Sequence, residues 1–204
     1  MKKKEVLFIG IIIIFAILCF FYFDAGISQS FENIRNYFLT DLFMGITYVS
    51  SGVIIFFILT SLFLWKEHKR KWILPLWFTL ALSAIVSFLL KIAIQRPRPY
   101  QIGVVSLLLE EASHNIWNFS FPSFRAMLAF CAIPILSKQF PKLKNTWVIF
   151  AVLIAISRVY LGVHFISDIL VGGLIGYFLG VFVIKYEEKT KFCGKIYKKI
   201  FKKN

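Results

Sequence analysis

The chain has 204 residues, of which 59% are hydrophobic and 17% are charged. A mean hydropathy of +0.76 predicts an integral membrane protein with a single domain covering residues 1–204. The net charge of +14 does not indicate nucleic acid as a partner, because the cations cluster at the ends of apolar segments, as topology signals do. The three cysteines have no paired spacing, which disfavours a disulfide framework or a metal site.

Six apolar segments follow one another along the chain. The first three carry no charged residue and are each long enough to cross a bilayer as a helix: 6–23, 42–65 and 72–90. The next three reach spanning length only if the polar motifs beside them form their outer turns: 126–137, 145–157 and 169–184. No cleavage site cleanly follows the first segment, so we interpret it as a retained span rather than a signal peptide.

Basic clusters occur at every second junction between these segments: Lys2–Lys4, Lys66–Lys71, Lys138–Lys144 and the tail from Lys185 to Lys203. The positive-inside rule places all of them in the cytoplasm. The sequence therefore predicts an all-α fold of six transmembrane helices with both termini cytoplasmic and with residues 185–204 as a basic tail. The remaining charged motifs face outward. The short basic chain lacks a eukaryotic sorting motif, which favours a bacterial plasma membrane.

Two further patterns concern packing. Phe31, Ile34 and Phe38 recur at helical spacing among polar residues and predict a short interfacial helix in the first outer loop. A stripe of small residues on the last helix (Gly172, Gly176, Gly180) favours close helix packing within the monomer over a dimer seam. The sequence leaves the oligomeric state open.

Six cations lie outside the basic clusters, and all of them except Arg35 fall in three short segments that are otherwise typical of membrane-embedded chain. Lys91 ends the third apolar helix and Arg98 follows Pro97. Both residue types commonly reach toward lipid head groups from helix ends, and both also bind phosphate. Arg96 is the weaker candidate of this segment.

The second segment contains Pro122, Ser123, Phe124 and Arg125. Proline favours the first turn of a helix, so Ser123 and the backbone N–H groups of Phe124 and Arg125 are expected at a helix N-terminus. Such a terminus suits phosphate binding, although ordinary helix capping is equally common.

The third segment contains Arg158, His164 and Asp168. The last two are four residues apart, which places them on one face of a helix. The carboxylate would then hold one imidazole nitrogen and leave the other free to attack. An interfacial histidine beside a helix-capping aspartate is the alternative. Arg158 adds a planar cation suited to phosphate.

Taken together, the three segments resemble the signature of the type 2 phosphatidic acid phosphatase family of integral membrane lipid phosphatases. The matches are Lys-x6-Arg-Pro at Lys91–Pro99, Pro-Ser-x-x at Pro122–Arg125 and Ser-Arg-x5-His-x3-Asp at Ser157–Asp168. The resemblance implies that His164 is the nucleophile, oriented by Asp168, and that it forms a phosphohistidine. It also implies a phosphate site without a metal or other cofactor, built from cations and helix N-terminal groups: Lys91, Arg98, Ser123, Phe124 and Arg158.

The middle motif departs from the family pattern, which has Gly and His where this chain has Phe124 and Arg125. The family histidine is thought to protonate the leaving oxygen. Arginine stays charged and cannot donate that proton. Loss of a general acid typically costs about 10²–10⁴-fold in rate.

Three interpretations of Arg125 remain open. The substrate is a diphosphate such as undecaprenyl diphosphate, whose leaving group needs no proton and whose charge Arg125 neutralises. Alternatively, another acid such as His114 enters the site. In the third, the chain is a non-catalytic lipid-phosphate binding or regulatory protein. Retention of both His164 and Asp168 favours catalysis. The predicted function is therefore hydrolysis of a lipid phosphate or diphosphate at the outer leaflet.

Overall fold

The computed structural model describes residues 19–108 and 118–201, with side chains up to residue 197. Most of the predicted first span, the Lys2–Lys4 cluster and His114 lie outside the described residues. All regular secondary structure within these ranges is helical. The helices are α1 (residues 19–33), α2 (Tyr37–Val49), α3 (Gly52–Trp65), α4 (Ile73–Ile94), α5 (Phe124–Gln139), α6 (Lys144–Tyr160), α7 (Ile166–Thr190) and α8 (Phe192–Phe201).

Three helical segments in the described ranges are long and apolar enough to cross a membrane: Glu67–Ile102, Pro141–Tyr160 and Ile166–Thr190. The bent pair α2–α3 is a fourth if it is counted as one span. The 16-residue helix α5 lies at the centre of the bundle, where it packs along α7 and also contacts α4 and α6. An all-α, multi-pass membrane protein is thus confirmed, whereas six spans and cytoplasmic termini stay predictions.

The predicted second span is not one straight helix. The chain breaks between α2 and α3, and the two helices are bent by 64°. The Ser50 hydroxyl donates to the Thr47 carbonyl at 2.9 Å, and the Ser51 hydroxyl accepts from the Ile54 N–H at 3.3 Å as the N-cap of α3. These side chains satisfy backbone groups at the break. Hydropathy missed it because uncharged serines do not interrupt an apolar run.

The predicted interfacial helix over Phe31, Ile34 and Phe38 is wrong. Phe31 belongs to the last turns of α1, Ile34 lies in the turn that follows, and Phe38 belongs to α2. Asn36 separates the two helices, because its side chain accepts from the Leu39 N–H at 2.9 Å and caps α2. The apolar spacing therefore continued by coincidence across a helix boundary.

The glycine stripe of α7 faces α5 within the same chain. A Cβ atom on Gly172 would lie 2.9 Å from the Ser123 carbonyl oxygen, and one on Gly176 would collide with the Met127 carbonyl. Gly180 meets the backbone of Cys131 in the same way. The interpretation as close packing within the monomer is confirmed.

The polar motifs form the ends of the helices, as the lengths of the apolar segments predicted. Lys91 lies in the last turn of α4, which ends at Ile94 before the Arg-Pro-Arg-Pro sequence. Arg158 lies in the last turn of α6, and Asp168 in the first turn of α7.

Within the predicted tail, α7 continues to Thr190 and α8 follows. The described part of the tail is therefore mostly helical.

Candidate active site

His164 lies in the turn that joins α6 to α7. Gly162 adopts a positive φ of 77°, which a residue with a Cβ rarely accepts. This turn lets the N–H groups of Val163 and His164 both donate to the Arg158 carbonyl, each at 3.2 Å. The result is a buried imidazole, only 4% exposed, two residues before α7 begins.

Asp168 approaches His164 from the first turn of α7. The expectation that both residues share a helix face is wrong, because His164 precedes the helix. Asp168 Oδ2 nevertheless lies 3.6 Å from His164 Nδ1. It also accepts the N–H of Phe165, the N-cap residue, at 2.8 Å. The carboxylate therefore caps its own helix and faces the imidazole at the same time.

Ser120 is a member of this group that the sequence motifs did not identify. Its hydroxyl donates to Asp168 Oδ2 and lies 3.5 Å from His164 Nδ1. It is fully buried, three residues before Ser123. Only its place immediately before the Phe-Pro-Ser motif could have pointed to it. Ser120 and Asp168 together fix the side of the imidazole that carries Nδ1.

The environment of His164 favours the neutral imidazole. Burial lowers the pKa of His164 well below its usual value of 6.5, and the positive charges of Arg98, Lys91 and Arg158 lower it further. A neutral imidazole is the form that can act as a nucleophile. The cations around it thus serve both to attract an anion and to keep the histidine unprotonated.

Lys91 and Arg98 hold the segment that leads into α5. The Lys91 ammonium donates to the Phe119 carbonyl and lies 3.5 Å from the Ser120 carbonyl oxygen. Arg98 donates to the Asn118 carbonyl at 3.2 Å and to the Val163 carbonyl at 2.9 Å. Arg98 therefore joins the two loops that carry Ser120 and His164, and Lys91 holds the first of them.

Ser123 and Arg158 each present a buried polar atom without a hydrogen-bond partner in the part of the chain that the structure describes: Ser123 Oγ and Arg158 Nε. Ser123 is the N-cap of α5, as predicted, although Pro122 precedes the helix rather than starting it. Its N–H donates to the Asp168 carbonyl at 3.1 Å. Unpaired buried polar groups are costly, so a site that brings an anionic oxygen to them is favoured.

Comparison with known proteins places this arrangement in a family. A sequence profile of the PAP2 superfamily matches residues 72–192, which include every motif described above. The chain belongs to the PAP2 superfamily. It is 32% identical over 183 residues to phosphatidylglycerophosphatase B of Bacillus subtilis, covering 82% of this chain and 85% of that protein.

Two crystal structures of bacterial proteins resemble it. The transmembrane phosphatidylglycerolphosphate phosphatase from Bacillus subtilis superposes with a TM-score of 0.71 at 29% identity, covering 93% of this chain and 98% of that one. LpxE of Aquifex aeolicus gives a TM-score of 0.65 at 30% identity over 80% of this chain and 95% of that one. The chain is a membrane lipid phosphatase.

Arg125, where the PAP2 motif has histidine, reaches the break between α2 and α3. Its Nη1 donates to the Thr47 carbonyl and lies 3.4 Å from the Ser50 hydroxyl. It is also close enough to Arg98 and Arg158 for like-charge repulsion. Arg125 therefore lies beside the cation cluster, which consists of Lys91, Arg98 and Arg158, on the side of that cluster nearest α2. Phe124 begins α5, and its half-buried ring packs against the main hydrophobic core.

Arg96, the weaker candidate of the first motif, contacts Asp168 rather than the cation cluster around His164. Its Nη1 donates to Asp168 Oδ1 at 2.7 Å.

Among the described residues, no group of three or more His, Cys, Asp or Glu side chains is placed to hold a metal ion. A reaction without metal or cofactor stays a prediction from the family resemblance.

Proposed function

We propose that this PAP2 protein hydrolyses a lipid diphosphate, preferably one like undecaprenyl diphosphate, through a phosphohistidine at His164. The observation that carries the proposal is the orientation of the buried imidazole. Its Nδ1 faces Ser120 and Asp168 at 3.5 and 3.6 Å, so Nε2 is the nitrogen that attacks. Asp168 then stabilises the positive charge that the ring acquires.

The reaction has two displacement steps. His164 Nε2 attacks the terminal phosphorus, and the bond between that phosphorus and the bridging oxygen breaks, releasing the lipid monophosphate. A water molecule then attacks the phosphohistidine and releases inorganic phosphate, which restores the imidazole. Charges and donors that converge on His164 would bind the non-bridging oxygens: Lys91, Arg98, Ser123, the Phe124 N–H and Arg158. Positioning and charge stabilisation supply most of the catalysis in phosphoryl transfer.

The preference for a diphosphate follows from the leaving group. A lipid monophosphate leaves as a weakly basic anion and needs no proton, whereas a lipid alcohol does. Arg125 supplies charge at the edge of the cluster but cannot supply a proton. In this proposal it stabilises the departing phosphate electrostatically and replaces acid catalysis, rather than performing it.

The site is proposed to face the outer leaflet of a bacterial plasma membrane. Lys91 and Arg158 lie in the last turns of α4 and α6, and Asp168 lies in the first turn of α7, whereas basic clusters flank the opposite ends of these three helices. The positive-inside rule assigns those clusters to the cytoplasm. The chain is then one domain over residues 1–204 with a cytoplasmic basic tail over residues 185–204.

A phosphomonoester lipid is the second candidate. The curated relative at 32% identity is named phosphatidylglycerophosphatase B, and one structural relative is a phosphatidylglycerolphosphate phosphatase. Their names favour phosphatidylglycerophosphate as the substrate here. Its alcohol leaving group would need an acid other than Arg125, for which His114 is the sequence candidate.

The test is phosphate release in detergent from undecaprenyl diphosphate and from phosphatidylglycerophosphate, measured for wild type, His164→Ala and Arg125→His. We expect the wild type to prefer the diphosphate, His164→Ala to be inactive on both, and Arg125→His to gain activity selectively on the monoester. An alkali-stable, acid-labile phosphoenzyme should form from a labelled substrate only when His164 is present. Activity in His164→Ala would overturn the mechanism, and a wild-type preference for the monoester would favour the second candidate.

A further inference from the structure

Arg96 forms a bridge between two buried carboxylates. Nη1 donates to Asp168 Oδ1 and Nη2 donates to Asp24 Oδ2, each at 2.7 Å. The Arg96 side chain is 17% exposed, and the two aspartates are 0% and 3% exposed respectively. Both terminal nitrogens are thus committed to carboxylates, which distinguishes Arg96 from the cations that converge on His164.

Asp24 belongs to α1 and binds the first turn of α7 directly. Its Oδ1 accepts the Ser167 N–H at 3.0 Å, and its Oδ2 accepts the Ser167 hydroxyl. The same hydroxyl accepts from Arg96 Nη1 at 2.7 Å. An N–H group in the first turn of a helix has no partner within the helix, so Asp24 caps α7 from another part of the chain.

Two aromatic rings hold the plane of the Arg96 guanidinium. Its central carbon lies 4.1 Å from the ring centroid of Phe165 and 4.7 Å from that of Phe21. Phe21 belongs to α1, and Phe165 is the N-cap residue of α7. Hydrogen bonds at the edge and rings at the faces leave the guanidinium little freedom to turn.

We propose that Arg96 and Asp24 are positioning residues that orient Asp168 toward His164. Arg96 holds Oδ1 of Asp168, so the other oxygen, Oδ2, is the one directed at Nδ1 of the imidazole. Asp24 in turn holds Arg96 and the helix turn that carries Asp168. The first helix thereby takes part in the reaction without contacting the substrate.

The charges of the bridge support a role beyond packing. One cation shared by two carboxylates leaves one negative charge beside His164. That charge stabilises the positive imidazole ring of the intermediate. Replacing Asp24 with a neutral residue would let Arg96 compensate Asp168 fully and would remove this negative charge, even if the fold were unchanged.

The experiment is a double-mutant cycle with Asp24→Asn and Arg96→Gln, measuring kcat, KM and thermal stability in detergent. Because a small misplacement at a reacting centre can cost about 100-fold in rate, we expect Arg96→Gln to lower kcat about 10- to 100-fold with little change in KM. Asp24→Asn should lower kcat less, and the double variant should be no slower than Arg96→Gln. Arg96→Lys, which keeps the charge but not the fork, should recover part of kcat.

Arg70→Gln is the control. Arg70 pairs with Glu67 at 3.5 Å and donates to the Leu64 carbonyl at 3.0 Å, so its loss removes an arginine that precedes α4, at the end of that helix opposite to the site. It should lower stability without the loss of kcat per folded molecule. The inference also depends on the proposed role of His164. If His164→Ala is inactive while Arg96→Gln and Asp24→Asn keep wild-type kcat, the positioning role fails alone. If His164→Ala stays active, the proposed mechanism fails first.

Discussion

Arg125 donates a hydrogen bond to the backbone carbonyl of Thr47, near the end of α2. The Thr47 hydroxyl in turn lies 3.3 Å from Nη1 of Arg158, a candidate phosphate ligand. Thr47 therefore connects the two arginines through different atoms. The residue that replaces the histidine of the PAP2 motif thus also supports the position of another cation.

Replacing Arg125 with alanine should weaken substrate binding and, because Arg125 is proposed to stabilise the departing phosphate, should also lower kcat. We expect KM to rise about tenfold, because loss of a charged hydrogen bond is worth about 1.5–3 kcal/mol and Thr47 is released beside Arg158. The free energy of unfolding should fall by less than this hydrogen-bond energy, since the Ser50 hydroxyl still donates to the Thr47 carbonyl at 2.9 Å. Thr47→Val, which removes only the hydroxyl, should raise KM to a smaller extent, and Thr47→Ser should not. An unchanged KM in Arg125→Ala would contradict this connection.

Replacing Ser120 with alanine should slow the reaction rather than weaken binding. The variant leaves Asp168 Oδ2 with the Phe165 N–H as a donor but without the hydroxyl. One hydrogen bond to a charged group is worth about 1.5 kcal/mol or more, so kcat should fall at least about tenfold. Ser87→Ala is the control, because Ser87 is equally buried on α4 and its hydroxyl has no partner among the described residues. Equal kcat values for the two variants would exclude a role for Ser120.

Sequence patterns predicted the helices of this protein better than their breaks. The lengths of the apolar segments and the positions of the basic clusters located α4, α6 and α7. They also placed Lys91, Arg158 and Asp168 at helix ends, because hydrophobicity and charge can be read directly from the residue types. The break at Ser50 was not visible, since serine and threonine change the local backbone without changing hydropathy. Finding it required the hydrogen bonds that these side chains make.

The site was predictable in its charges and not in its pairings. Spacing alone brought His164 near Asp168, but it placed both on a helix that in fact begins after His164. Arg96 and Ser120 contact Asp168 although they lie about 70 and 50 residues before it in the chain. Residue types and spacing in a single sequence do not predict contacts between residues so far apart in the chain. The sequence consequently favours Lys91 and Arg98 over Arg96, although Arg96 is the residue paired with Asp168.

The pH dependence of catalysis should reflect the neutral state of His164. Because burial and neighbouring cations lower the pKa of His164 well below 6.5, the imidazole stays unprotonated as the pH falls through 6.5. The neutral nucleophile is lost only below the lowered pKa. The acid limb of the pH–rate profile that reports His164 should therefore lie below pH 6.5. The direct measurement is 15N NMR of histidine-labelled protein in micelles. The sequence has three histidines, and His164→Asn identifies the signal. A His164 signal that titrates at or above pH 6.5 would contradict the prediction.

Replacing Gly176 with alanine should destabilise the bundle. The added Cβ would collide with the Met127 carbonyl of α5, and backbone cannot move aside as a flexible side chain can. Overpacking of this kind costs about 1–3 kcal/mol. Gly45→Ala is the control: a Cβ on Gly45 meets nothing within 4 Å, so the better helix propensity of alanine should raise stability by up to about 1 kcal/mol. Unfolding in detergent, followed by circular dichroism, gives both values. If Gly176→Ala instead changed the oligomeric state at unaltered stability, the stripe would be a seam between molecules, and the packing of α7 against α5 would not explain it.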